Sequence, residues 1–85
     1  MAYQVFLRPA AKRDWKKLPG HVLSRIEQAL LTLKENPRPH GVAKLAGMHD
    51  RWRIRIGDYR VIYQIDDTLQ EVTILRIAHR RDAYR

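Results

Sequence analysis

The sequence contains no cysteine. That removes disulfides and thiolate nucleophiles, and it fits a reducing cytoplasm. No apolar run approaches the roughly 20 residues of a membrane span. The opening residues also lack the basic-then-apolar pattern of a secretion signal. A cytoplasmic protein that does not insert into a membrane is therefore expected. There is no P-loop, no G-x-S-x-G stretch and no glycine-rich nucleotide loop. The four histidines, His21, His40, His49 and His79, form no i, i+4 pair with an acid partner, so neither a metal nor another cofactor is expected. Carboxylates are scarce as well: nine Asp and Glu stand against seventeen Lys and Arg, a net charge of +8. Such an excess suits a nucleic acid, an anionic surface or an acidic protein partner.

What is present is concentrated in one stretch. Arg51-Trp52-Arg53-Ile54-Arg55-Ile56 alternates strictly, Gly57-Asp58 follows, and Tyr59-Arg60-Val61-Ile62-Tyr63-Gln64-Ile65 answers it. Strand side chains repeat with period two, so the first run puts Trp52, Ile54 and Ile56 on one face and three arginines on the other. Gly-Asp between two such runs predicts a two-residue hairpin turn. Ile56 then faces Tyr59, Arg55 faces Arg60, Ile54 faces Val61 and Arg53 faces Ile62. The second face gathers Arg51, Arg53, Arg55 and Arg60, with Ile62 and Gln64 beside them. Like charges directly across a strand pair are destabilising. A solvated surface would mix lysine, glutamate and threonine, whereas guanidinium groups pair two-pronged with phosphate. This face reads as an anion site.

The remainder frames that hairpin. At 85 residues the chain suits one domain, residues 1–85, with a single modest core. Tyr3–Leu7 predicts a first strand. Pro9 suits the first turn of a helix, and Ala11, Trp15 and Leu18 give its apolar stripe. Pro19-Gly20 stops it. A second helix, from about His21 to Glu35, carries Val22, Ile26, Leu30 and Leu33 inward. The Asn36–Gly41 segment, with two prolines, is a stiff loop, and residues 42–50 read as a further loop with one turn. After a turn at Asp66-Asp67-Thr68, Glu71–Ala78 is a strand with apolar residues of both parities, as in a strand covered on both faces. Arg76 and Arg80 share one parity and join the arginine face if Leu75 and Ile77 point to the helices. The order β-α-α-β-β-β predicts an α+β fold, a helical hairpin packed on one face of a mostly antiparallel four-stranded sheet.

The chain closes on His79-Arg80-Arg81-Asp82-Ala83-Tyr84-Arg85. His79 can exchange protons near neutral pH, and the Tyr84 hydroxyl can donate or accept. An RNA phosphodiester can be cut without metal by attack of the ribose 2′-OH on the adjacent phosphorus. The reaction requires positive charge for the phosphorane, a proton acceptor and a proton donor. Arginines, a tyrosine and a histidine supply groups of those types.

Lys44-Leu45-Ala46-Gly47, Trp52-Arg53-Ile54-Arg55, the Gly57-to-Tyr63 run and the His79-to-Arg85 ending resemble the RelE/ParE superfamily of bacterial and archaeal toxins, nearest its RelE branch. The resemblance covers nearly the whole chain. It implies a toxin of a type II toxin–antitoxin module, an endoribonuclease that cleaves mRNA in the ribosomal A site and is neutralised by a cognate antitoxin. Carried over by position, Arg53 and Arg55 fall where RelE-type enzymes have basic residues, often lysines. Arg60 matches the arginine that helps hold the scissile phosphate, Arg80 the transition-state arginine, and Tyr84 the C-terminal tyrosine that orients the nucleotide. Lys44, Arg51, Arg76 and Arg81 are further candidates for phosphate contact. Arginine stays charged and makes a poor base, so His79 and Tyr84 are the candidates for proton transfer. Two other readings stay open at this point: a gyrase poison of the ParE type, and an RNA- or ribosome-binding module without turnover.

Overall fold

The structure is a computed structural model that describes residues 2–45, 47 and 50–81. In chain order its elements are β1 Gln4–Leu7, α1 Pro9–Lys16, α2 Gly20–Glu35, β2 Ala43–Lys44, β3 Arg51–Ile56, β4 Tyr59–Asp66 and β5 Glu71–His79. The strands form one sheet in the order β1-β5-β4-β3-β2. Only β1 and β5 run parallel; every other pairing is antiparallel. The first two strands lie at opposite edges, and the helical hairpin carries the chain between them across one face. The α+β class and the helical hairpin are as the sequence predicts, with one strand more. Ala43 and Lys44 pair with Arg53 and Trp52, although the sequence reads as loop there. Two residues are too few to show an alternation, and an edge strand of that length exists because β3 offers it a partner.

Pro9 opens α1, and Arg13 and Lys16 in its last turn complement the negative end of the helix dipole. The helix stops when the Lys17 N–H turns back onto the Asp14 carbonyl at 3.0 Å and the Leu18 N–H onto that of Trp15 at 3.2 Å. Pro19 is then the N-cap of α2. Ala11 from α1 and Val22, Ile26 and Leu33 from α2 are buried against Val61, Tyr63, Val72, Ile74 and Ile77 of the sheet. These form the core, with Ile54, Ile56, Trp15 and Leu30 packed around it. Among the described residues no helix is long and apolar enough to cross a membrane.

Tyr63 is the largest fully buried side chain. Its hydroxyl donates to the Pro37 carbonyl at 2.8 Å, which pins the proline-rich loop to the sheet and satisfies a polar group that would otherwise be costly to bury. Burial pushes its phenol up to about 12.

The mixed parity of the last strand has a specific cause. The pairing of β4 with β5 shifts between Ile62 and Tyr63, where Ile62 faces Arg76 but Tyr63 faces Ile74. One extra residue, Leu75, is accommodated in β5, as in a β-bulge. Ile74 and Ile77, of opposite parity, therefore both reach the core.

Beyond Leu7 the edge of β5 is covered by α1. The Arg8 N–H donates to Ile74 O at 2.9 Å, and the Asp14 carboxylate accepts the Ile77 N–H at 2.8 Å.

Candidate nucleic-acid interface

The site begins with the turn. Ile56 pairs with Tyr59, Arg55 with Arg60, Ile54 with Val61 and Arg53 with Ile62, the register that a two-residue loop dictates. Gly57 has φ +59° and Asp58 does not share the left-handed region, the pattern of a type II′ turn with glycine first. The helix-facing row is Trp52, Ile54, Ile56, Tyr59, Val61 and Tyr63. The open row on β3 is Arg51, Arg53 and Arg55, opposite Gln64, Ile62 and Arg60.

On the far side of β4, Arg60 pairs with Ala78, so a methyl group rather than a long side chain stands beside it. Arg80 comes two residues after Ala78. Its backbone N–H donates to the Asp58 carbonyl at 2.7 Å, extending the ladder into the turn and fixing Arg80 next to the hairpin. The result is a cavity of about 120 Å³ lined by Arg55, Arg60 and Arg80 with Gly57, Asp58 and Tyr59. Arg60 is only 8% exposed, while Arg55 and Arg80 are open to solvent. A guanidinium held at low dielectric acts more strongly on an incoming anion than one in bulk water. Asp58 is the one carboxylate among the described lining residues.

The remaining candidates divide. Arg53 and Arg51 lie on the same face, in successive rows away from the turn. Arg76 shares the Arg53 row through Ile62, but its Nε and Nη2 donate to Asp14 at 2.9 and 3.2 Å. Burial alone would raise the Asp14 carboxyl; the Arg76 hydrogen bond and the Ile77 amide outweigh it and hold the group below its usual value. Arg76 is thus engaged at the α1–β5 junction. Lys44 pairs with Trp52 and lies on the opposite face, its ammonium 5.9 Å from the indole centroid. His79 is also on that opposite face. It pairs with Tyr59, and the two rings meet edge to face at 5.3 Å. The exposed Arg81 donates its backbone N–H to His79 Nδ1 at 3.3 Å. Tyr84 lies outside the described residues.

Arg25 of α2 was not singled out by the sequence. A methyl group on Gly57 would sit 2.9 Å from Arg25 Nη1, so glycine permits both the turn and the close approach of this guanidinium. The available signal is its spacing: His21 and Arg25 stand i, i+4 on one exposed stripe. Among the described residues no three His, Cys, Asp or Glu side chains come together to hold a metal ion.

Residues 5–84 match the family model described as the ParE toxin of the type II toxin–antitoxin system, parDE. The chain is 37% identical to Toxin RelG of Mycobacterium tuberculosis, over 100% of this chain and 99% of that protein. It is 30% identical to mRNA interferase toxin RelE of Escherichia coli, over 94% of this chain and 85% of that one. Its fold superimposes on the archaeal RelE–RelB complex from Pyrococcus horikoshii with a TM-score of 0.84 at 31% identity, covering 98% of this chain and 100% of that one. With this match along its length, these relatives and the arginine cavity, the chain belongs to the RelE/ParE superfamily of type II toxins, on the RelE branch.

Proposed function

We propose that this chain is, as a single domain, the toxin of a type II toxin–antitoxin system, an endoribonuclease that cleaves mRNA in the ribosomal A site and so inhibits translation. The observation that carries the reading is the meeting of Arg55, Arg60 and Arg80, from β3, β4 and the end of β5, around one small cavity. Three arginines lining one small cavity suit the non-bridging oxygens of one phosphodiester. They supply most where negative charge grows, in the phosphorane formed as the 2′-oxygen bonds to phosphorus and the bond to the 5′-oxygen breaks. The products are a 2′,3′-cyclic phosphate and a free 5′-hydroxyl.

One proton leaves the 2′-hydroxyl and one reaches the 5′-oxygen. Arginine stays charged and is a poor acceptor. The His79 ring lies across the sheet from the cavity, against Tyr59. Of the groups named from the sequence, Tyr84 is left to carry proton transfer, a role the family resemblance supports. Arg51 and Arg53 extend the basic surface along the strand, where they meet the flanking phosphates.

The partners follow from the same surface: mRNA held on the ribosome, and a cognate antitoxin that covers it, as RelB accompanies RelE in the solved complexes. The working compartment is the cytoplasm. Primer extension on mRNA from translating ribosomes exposed to the protein tests the assignment. Discrete breaks within A-site codons are expected. Intact message alongside trapped gyrase–DNA complexes would overturn it in favour of a gyrase poison.

A further inference from the structure

The cavity on the other side of the Gly57–Asp58 turn has no part in the chemistry above. It has a volume of about 330 Å³ and is lined by His21, Val22, Arg25, Asp58, Tyr59 and His79, among others. We propose that it is a second nucleotide subsite, which holds the RNA residue next beyond the two that the scissile phosphate joins. This rests on the endoribonuclease reading and names where the substrate continues.

The first argument is position. The two cavities share Gly57, Asp58 and Tyr59, so only a two-residue turn separates them. An RNA strand gripped by Arg55, Arg60 and Arg80 passes over that turn and enters the second cavity.

The second is size. Pockets for small ligands begin near 300 Å³, and this one takes a single nucleotide rather than a longer stretch.

The third is chemistry. Arg25 brings a planar fork of N–H donors suited to a phosphate. His21 stands one helical turn away on the same stripe. His79 and Tyr59 meet edge to face, with His79 Nδ1 accepting a backbone N–H, and together these rings offer a flat surface on which an unstacked base settles. The cavity also opens beside the first turn of α2, which has neither a side-chain cap nor an acidic residue; its positive dipole end adds to the attraction. Asp58 is the only carboxylate among the described lining residues.

A plainer role for Arg25 is to lie over Gly57 and steady the turn. The two roles separate in a binding experiment with 2′-O-methyl RNA, which lacks the attacking hydroxyl. A dinucleotide, with its single phosphate, needs only the arginine cavity; a tetranucleotide extends past it. Measured by fluorescence anisotropy, Arg25→Ala should weaken tetranucleotide binding about tenfold and leave dinucleotide binding within twofold of wild type. The slope of log affinity against log salt for the tetranucleotide should become shallower by about 0.7, the amount for one single-strand phosphate. Arg25→Lys should recover the salt slope but only part of the affinity, because it restores the charge without the fork. Equal losses for both oligomers, or none for either, would overturn the subsite. Failure of wild-type protein to bind either oligomer would overturn the subsite as well, whereas intact message on ribosomes would bring down the endoribonuclease reading, and this inference with it.

Discussion

At the end of the sheet marked by the β4–β5 turn, Arg38 donates two hydrogen bonds to Asp67, at 3.1 and 2.9 Å, and the same carboxylate accepts the Tyr3 hydroxyl at 2.7 Å. The Arg38 hydrogen bond, then that of Tyr3, holds the Asp67 carboxyl below its usual value. At the opposite end of β4, Arg55 and Arg60 face each other across two strands and share a cavity with Arg80. One end uses arginine to tie three segments together. The other sets Arg55 and Arg60 side by side across a strand pair, an arrangement that costs stability and that the proposed function turns to an anion. The contrast sets arginines that hold the fold against arginines proposed to hold a substrate, and each half of it can be attacked.

The largest effect is expected at Arg80. Its backbone, not its side chain, anchors it to the turn. Arg80→Ala should therefore keep the fold, with a melting temperature within about 4 °C of wild type, since surface changes of this kind stay within roughly 0.5 kcal/mol. Cleavage of mRNA on ribosomes should fall about 10²- to 10³-fold, the usual loss when one group stabilising transition-state charge is removed. Primer extension with timed sampling measures it. Cleavage that persists at the wild-type rate would take Arg80 out of the site.

Next comes the core that supports both ends. Tyr63→Phe removes the bond to Pro37 and leaves a buried carbonyl unsatisfied, at about 1–3 kcal/mol. A shift of several degrees in melting temperature is expected for a domain of this size. The same residue governs alkaline stability. Its folded value, about 12, lies above the ordinary 10, so the stabilisation is complete below pH 10 and is lost as pH rises toward 12. Urea unfolding of wild type should weaken across that window more steeply than that of the phenylalanine variant, whose curve should be flatter.

The hairpin and its arginine row were legible in the sequence, because a strict alternation broken by Gly-Asp admits one register. The two helices were legible from Pro9, Pro19 and their apolar stripes. The extra edge strand was not, because Ala43 and Lys44 acquire their pairing from β3 alone. The bulge was visible only as its symptom, the mixed parity of Glu71–Ala78. The sequence placed Arg76 with the arginine face but gave no hint of Asp14, 62 residues earlier, since partners from α1 and β5 are set by packing. His79 adjoins Arg80 in sequence, and period two alone puts neighbours on opposite faces. Its place beside Tyr59, rather than in the arginine cavity, was thus implicit in the reading that grouped them.

Asp14 gives a smaller effect at the boundary between the two regions. Asp14→Asn keeps an oxygen for the Ile77 N–H but loses the charge that meets Arg76, whose side chain is 56% exposed. A loss of about 1 kcal/mol at neutral pH is expected. The Asp14 carboxyl is held below 3.8, so its contribution is present above that pH and disappears as pH falls through the lowered value. Wild type and variant should therefore converge in stability in strong acid, as followed by circular dichroism.

The change at Arg38 should leave cleavage untouched, and it tests the contrast most directly. Both partners of its ion pair are open to water, with 40% of the Arg38 and 57% of the Asp67 side chain exposed, and exposed pairs contribute about 0–1 kcal/mol. The guanidinium also lies 5.1 Å from the centre of the Trp52 ring, which adds about 0.5–1 kcal/mol at such a site. Arg38→Ala should thus lower stability by about 1 kcal/mol, and a double-mutant cycle with Asp67→Asn should assign no more than half of that to the pair. Cleavage on ribosomes should not change, because the Arg38 donors that a phosphate would need are already given to Asp67. A drop in cleavage comparable to that of Arg80→Ala would mean that the substrate runs the full length of the sheet and that paired and clustered arginines do one job. An unchanged rate confines the chemistry to the end where Arg55, Arg60 and Arg80 line one cavity.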